Sequence, residues 1–138
     1  MQAKQPTVYV IDDDDSVRRA LARLLMSAGL EVRTFDSANA FLQAGCPPQN
    51  ACVVADVRME GMSGLELQHE LKKAGSPLRF IFVTAQDTQE TRTEAIQAGS
   101  TAFFLKPVDD QALLDAVQWT LTLGDDRSEG APPPAAAA

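Results

Sequence analysis

Along this chain, short and nearly unbroken apolar runs alternate with stretches whose apolar residues recur every three or four positions. Thr7-Val8-Tyr9-Val10-Ile11 is the first run, rich in β-branched residues and nearly unbroken in its apolar character, as expected of a strand covered on both faces. A helical stretch follows, with Val17, Ala20, Leu21, Leu24, Leu25 and Ala28 on one face and Gly29 at its end. The acidic residues before it, Asp14 or Asp15, supply its N-cap. Leu30 to Phe35 predicts a second strand and Ser37 to Ala44 a short helix. Ala51-Cys52-Val53-Val54-Ala55 is a third strand, and Ser63 with Glu66 forms a capping box for a helix carrying Leu67 and Leu71. Phe80-Ile81-Phe82-Val83 is a fourth strand, and Asp87 can cap a helix running to Gly99. Ala102-Phe103-Phe104-Leu105 is a fifth strand. A last helix from about Asp109 buries Leu113, Leu114, Val117 and Leu121.

Strands and helices that alternate in this way predict an α/β domain, a parallel sheet with helices on both faces. Right-handed crossovers leave few topologies, and the expectation is a flavodoxin-like, doubly wound sheet of five strands in the order 2-1-3-4-5 with five helices. The domain is expected over residues 6–123. Residues 124–138, ending in three prolines and four alanines, are expected to be a disordered tail or the start of a linker.

Composition narrows the function. The net charge of −7 argues against direct nucleic-acid binding, which needs a basic face, and suits a site that holds a divalent cation. No stretch approaches the roughly 20 apolar residues of a membrane span, and the first residues lack a secretory h-region, so a cytoplasmic location is expected. Cys46 and Cys52 lack zinc-like spacing and are expected to be reduced thiols.

Sites in open α/β sheets lie beyond the carboxyl ends of the strands. The first strand ends in Asp12-Asp13-Asp14-Asp15, the third in Asp56, the fourth in Thr84 and the fifth in Lys106-Pro107. In the expected order these four ends are contiguous and line one cleft. Crowded carboxylates need their repulsion offset, and Mg²⁺, which takes oxygen ligands, offsets it and can bridge to phosphate oxygens. A carboxylate can accept a phosphoryl group, a lysine can pair with its oxygens and a threonine hydroxyl can donate to another. Each residue alone has a plainer reading: a helix cap, a β-former, a surface lysine. The specificity lies in the four ends together.

With those residues the chain resembles the receiver domains of response regulators in two-component systems, over roughly residues 6 to 123. The motifs are Val10-Ile11-Asp12-Asp13, Asp56-Val57-Arg58-Met59 running on to Gly61-Met62-Ser63-Gly64, Val83-Thr84-Ala85, Ala98-Gly99 and Lys106-Pro107. The resemblance implies that Asp56 accepts the phosphoryl group from a sensor histidine kinase or a small phosphodonor. It implies direct Mg²⁺ ligation by Asp13, Asp56 and the backbone carbonyl of Arg58, with Asp12 acting through water. Thr84 and Lys106 would hold the phosphoryl oxygens, the Lys106–Pro107 bond would be cis, and Phe103 would be the aromatic switch residue. The face made by the fourth helix, fifth strand and fifth helix would carry the response, including a phosphorylation-linked homodimer. Asp56-Val57-Arg58-Met59 and Gly64-Leu65-Glu66-Leu67-Gln68 resemble the subgroup that precedes a LuxR-type helix-turn-helix.

Some residues depart from the pattern. Glu60 stands where the family usually has proline, which bears on loop geometry and metal affinity. The fourth helix is polar, with Gln89, Thr91 and Thr93, and is expected to be weakly held. Arg58 and Gln86 occupy positions that vary with the lifetime of the phosphate. Trp119 lies off the apolar stripe of the last helix, either an exposed anchor or partly buried against the tail, and His69 is expected to be solvated. Three rival readings are a phosphohydrolase with its nucleophile at the first strand, a pseudo-receiver that only binds a partner, and a nucleotide-binding flavodoxin-like protein. The first leaves Asp56 without a role, and the last lacks a glycine-rich phosphate loop.

Overall fold

The computed structural model describes residues 6–85, 88–97 and 102–123, the side chains of Ile96 and Leu123 excepted. Its elements are β1 (Thr7–Ile11), α1 (Asp15–Ser27), β2 (Glu31–Phe35), α2 (Ala38–Ala44), β3 (Ala51–Ala55), α3 (Gly64–Lys73), β4 (Arg79–Thr84), α4 (Gln89–Gln97), β5 (Ala102–Leu105) and α5 (Asp110–Leu123). All strand pairs are parallel, and the order is β2-β1-β3-β4-β5. This is the flavodoxin-like arrangement that the alternating pattern predicts.

The sheet divides the core in two. Val8 and Val10 of β1 join Leu21 and Leu25 of α1 and Leu113, Ala116 and Val117 of α5 on one face. Tyr9 and Ile11 join Ala38 and Phe41 of α2, Leu67 of α3 and Ala95 of α4 on the other. Successive strand residues point to opposite faces, so a strand covered on both must be apolar throughout. Edge strand β2 is only partly covered on either face: Val32 packs on the first core and Phe35 on the second, while Glu31, Arg33 and Thr34 are exposed.

The helix starts follow local chemistry. The Asp14 carboxylate accepts from the Val17 N–H at 3.0 Å and caps α1, resolving the choice between Asp14 and Asp15. Ser37 caps α2, and Ser63 with Glu66 closes a full capping box on α3. Asp109 accepts from the Ala112 N–H at 2.9 Å at the start of α5. The cap expected at Asp87 lies outside the described residues, and the Thr88 hydroxyl accepts from the Thr91 N–H at 3.1 Å. Ala98, Gly99, Gln86 and the tail also lie outside them.

One expectation changes. Ala20 is exposed, because it sits on the flank of α1 that opens onto a groove toward Pro107 and Val108. Of the two readings open for Trp119, the exposed one fails: it is half-buried, with its indole Nε1 enclosed and without a hydrogen-bond partner among the described residues. His69 is exposed, Cys52 is buried and Cys46 half-buried, both as free thiols.

Candidate phosphoryl-acceptor and metal site

The register of β1 and β3 places the first two carboxylates. Ile11 pairs with Ala55, and the Asp56 N–H donates to the Ile11 carbonyl at 3.1 Å. The next residue of each strand, Asp12 and Asp56, therefore emerges beside the other. Both are buried, Asp12 at 1% and Asp56 at 8% exposure, an unusual place for carboxylates without partners.

Their partners are specific. Lys106, at the end of β5, donates from Nζ to Asp12 Oδ2 and to Asp56 Oδ2, both at 2.9 Å. The Asp14 N–H donates to Asp12 Oδ1 at 2.9 Å and the Arg58 N–H to Asp56 Oδ1 at 3.1 Å. Each buried carboxylate thus holds the amide two residues ahead of it and shares one ammonium. Burial raises the Asp12 pKa against the Asp14 amide and Lys106, and the charge of Asp56 pushes the same way as burial. Burial also works against the Lys106 ammonium, but its hydrogen bonds to Asp56 and Asp12 outweigh burial and raise its pKa. The two directions are compatible, since the lysine gains from two carboxylates while they divide one cation.

Asp13 is exposed, and its Oδ2 accepts from the Glu60 N–H at 3.2 Å. Asp12, Asp13 and Asp56 each offer a carboxylate oxygen, and these oxygens lie within 4.8 Å of one another. Three carboxylates that close, with one lysine among them, leave net negative charge at a spot partly open to water. A hard, oxygen-seeking cation fits that donor set.

Thr84 ends β4 and is fully buried, and its carbonyl accepts from the Lys106 N–H at 2.8 Å. The Lys106–Pro107 peptide bond is cis. Phe103 lies two residues into β5 on the α2–α4 side, 7% exposed, with the Arg92 guanidinium 5.5 Å from its ring centre. The cleft thus gathers Asp12, Asp13, Asp56 and Lys106, with Thr84 at the adjoining strand end and Phe103 in the core of the α2–α4 face.

The family model for the response regulator receiver domain matches residues 8–118. The chain belongs to that family. As a receiver domain it is 47% identical over 114 residues to the transcriptional regulatory protein FixJ of Azorhizobium caulinodans, an alignment covering 83% of this chain and 54% of that protein. It is 43% identical over 123 residues to the transcriptional regulatory protein TdiR of Thauera aromatica, covering 89% and 54%. The solved structure of the response regulator StyR superposes with a TM-score of 0.82 at 45% identity, over 91% of this chain and 64% of that one. That of FixJ-N superposes at 0.76 and 34%, over 84% and 93%. The receiver domain spans about half the length of the curated relatives it matches. It is a signalling domain of two-component systems, and no helix among its described residues is long and apolar enough to cross a membrane.

Sequence reasoning missed the contacts that hold this site in place. Arg18 donates to the Asp12 carbonyl at 2.7 Å and pairs with Asp15, which ties the first turn of α1 to the acidic loop. Gly64 lets the start of α3 lie against Asp56: a Cβ there would fall 2.3 Å from the Asp56 carbonyl oxygen. A glycine in the first turn, directly after a capping serine, was the one available signal for that approach.

Proposed function

We propose that Asp56 accepts a phosphoryl group from the phosphohistidine of a sensor histidine kinase, or from a small phosphodonor, and later loses it to water. The observation that carries this reading is the single ammonium of Lys106 bridging Asp12 and Asp56 beside a three-carboxylate cluster. An oxygen of Asp56 attacks phosphorus, the bond from phosphorus to the donor nitrogen breaks, and the freed imidazole takes a proton. Lys106 moves its charge from the Asp56 carboxylate to the incoming phosphoryl oxygens, and the Thr84 hydroxyl donates to another of them.

Asp12, Asp13, Asp56 and the Arg58 carbonyl would hold Mg²⁺, with Asp12 acting through water. When bound, the cation neutralises charge on the transferring group. The exposed flank of α1 at Ala20 and the neighbouring Val17, Leu24, Pro107 and Val108 form an apolar groove ending at Lys106, the surface on which a phosphodonor helix fits. Phe103 and Arg92 couple the site to the α4–β5–α5 face, which we assign to output and to phosphorylation-linked homodimerisation. A chain of net charge −7 acts on nucleic acid only through that output, in keeping with relatives named transcriptional regulators.

The test is intact mass after incubation with acetyl phosphate or phosphoramidate and Mg²⁺, for wild type and Asp56→Asn. The expected result is a Mg²⁺-dependent gain of one phosphoryl group in wild type alone. No adduct at early times with excess Mg²⁺ would leave a binding-only domain. An adduct that survives in Asp56→Asn and is lost in Asp12→Asn would point to a nucleophile on the first strand.

A further inference from the structure

Of the three clustered carboxylates, two are fixed from within their own loops, Asp12 by the Asp14 amide and Asp56 by the Arg58 amide. Asp13 has no such anchor in its own loop among the described residues, and it is the exposed member. Its hydrogen bond comes from across the cleft, from a backbone N–H 47 residues away in the loop between β3 and α3. We propose that Glu60 is a positioning residue for cation binding, whose backbone N–H holds the Asp13 carboxylate against the Asp12–Asp56 pair.

The proposal rests on the reading of the carboxylate cluster as a Mg²⁺ site. An exposed aspartate side chain rotates freely, and ordering it when a cation arrives costs entropy; a tether in place beforehand removes part of that cost. The tether does not block the site. A carboxylate offers about four lone-pair positions, so Oδ2 can accept the amide while Oδ1 stays open to the ion. The same hydrogen bond draws the two metal-bearing loops together, since Asp13 follows β1 and Glu60 follows β3. It depends on residue type in one respect only: any residue but proline supplies the N–H. The glutamate carboxylate is separable from that role, adding negative charge to the rim of the site.

Two substitutions separate the amide from the charge. Glu60→Pro deletes the N–H, and Glu60→Gln keeps it while removing the carboxylate. Mg²⁺ affinity of the full chain is measured by calorimetric titration, with no phosphodonor present. Glu60→Pro is expected to weaken binding about three- to tenfold, at and below the lower end of the roughly 10–100-fold that loss of a group orienting a metal ligand costs, because this hydrogen bond is exposed. Glu60→Gln is expected to stay within about twofold, as loss of a single screened rim charge implies.

Amide spectra provide a second readout that survives poor folding of the proline variant. In metal-free wild type the Glu60 N–H is expected to be protected from hydrogen exchange, and Asp13→Ala to remove that protection. Glu60→Pro binding Mg²⁺ as tightly as wild type, or a Glu60 amide indifferent to Asp13→Ala, would overturn the proposal. Wild type that binds no Mg²⁺ would overturn the metal reading itself, and the positioning role with it, whereas failure of the positioning role alone leaves wild-type binding intact.

Discussion

Asp12 is a carboxylate that burial treats worse than its hydrogen bonds treat it well. Its pKa is raised from the ordinary 3.8, by burial first and by the nearby Asp56 charge, despite the Asp14 amide and Lys106. A group that holds its proton more tightly folded than unfolded stabilises the fold while protonated. That contribution is complete below about pH 3.8 and is lost as pH rises through the higher folded value. Above that window the ionised Asp12 is a cost to the metal-free protein. Asp12→Asn cannot ionise, so its stability relative to wild type should grow as pH rises from 3.8 toward neutrality, read by urea unfolding in EDTA. A difference that shrinks with pH would mean that Lys106 outweighs burial. The Cys52 thiol is a simpler case: wholly buried, it is pushed up to about 12, which removes it from thiolate chemistry at neutral pH.

At the scale of elements, α3 is set by two constraints that pull on neighbouring residues. The Ser63–Glu66 capping box fixes where the helix begins, and the Gly64 N–H donates to the Val57 carbonyl at 3.0 Å, seating the first turn on the strand end. Alanine at position 64 would place its Cβ 2.3 Å from the Asp56 carbonyl oxygen and 3.1 Å from the Phe82 ring. Glycine to alanine in a helix ordinarily stabilises by up to about 1 kcal/mol. Gly64→Ala should do the reverse and cost about 1–3 kcal/mol, as overpacking does. It should also slow phosphorylation by acetyl phosphate, because the displaced backbone is that of Asp56. Urea unfolding with the mass assay measures both, and a stabilised variant would mean that α3 stands off from the strand. Helix α4 shows a different balance. Its buried residues include Thr91 and Ala95, and Thr88 caps it in a hydroxyl pair with Thr91 at 2.8 Å. Polar residues there serve the helix start as well as the surface.

Across the whole molecule, the fold was legible because it rests on one repeated rule: covered strands read as apolar blocks, and helices as stripes. The five strand blocks and the helix starts between them made element order and strand ends readable, and the right-handed crossover rule then selected the sheet order; which aspartate caps α1 was left to the structure. The gathering of Asp12, Asp13, Asp56 and Lys106 followed from strand order, which brings distant ends together without any local signal. Less legible were contacts made by backbone atoms, since an amide such as that of Glu60 carries no residue code. The flank positions of helices were also hard to read: Ala20 and Trp119 sit at the margins of their stripes, where burial depends on what lies alongside.

All five strands run the same way, so the carboxylates and Lys106 share one end of the sheet, and the turns at Pro47–Asn50 and Gly75–Leu78 occupy the other. The chemistry therefore has a front and the molecule a back, about one strand length apart. Gly75, with its φ of +81°, and Pro77 are exposed on that back. A flexible insert or a fluorescent reporter spliced after Gly75 should leave the yield and rate of phosphorylation close to those of the intact chain. The same insert after Gly61, on the front, should abolish it. The division marks which loops of this receiver are open to engineering and which belong to its signal.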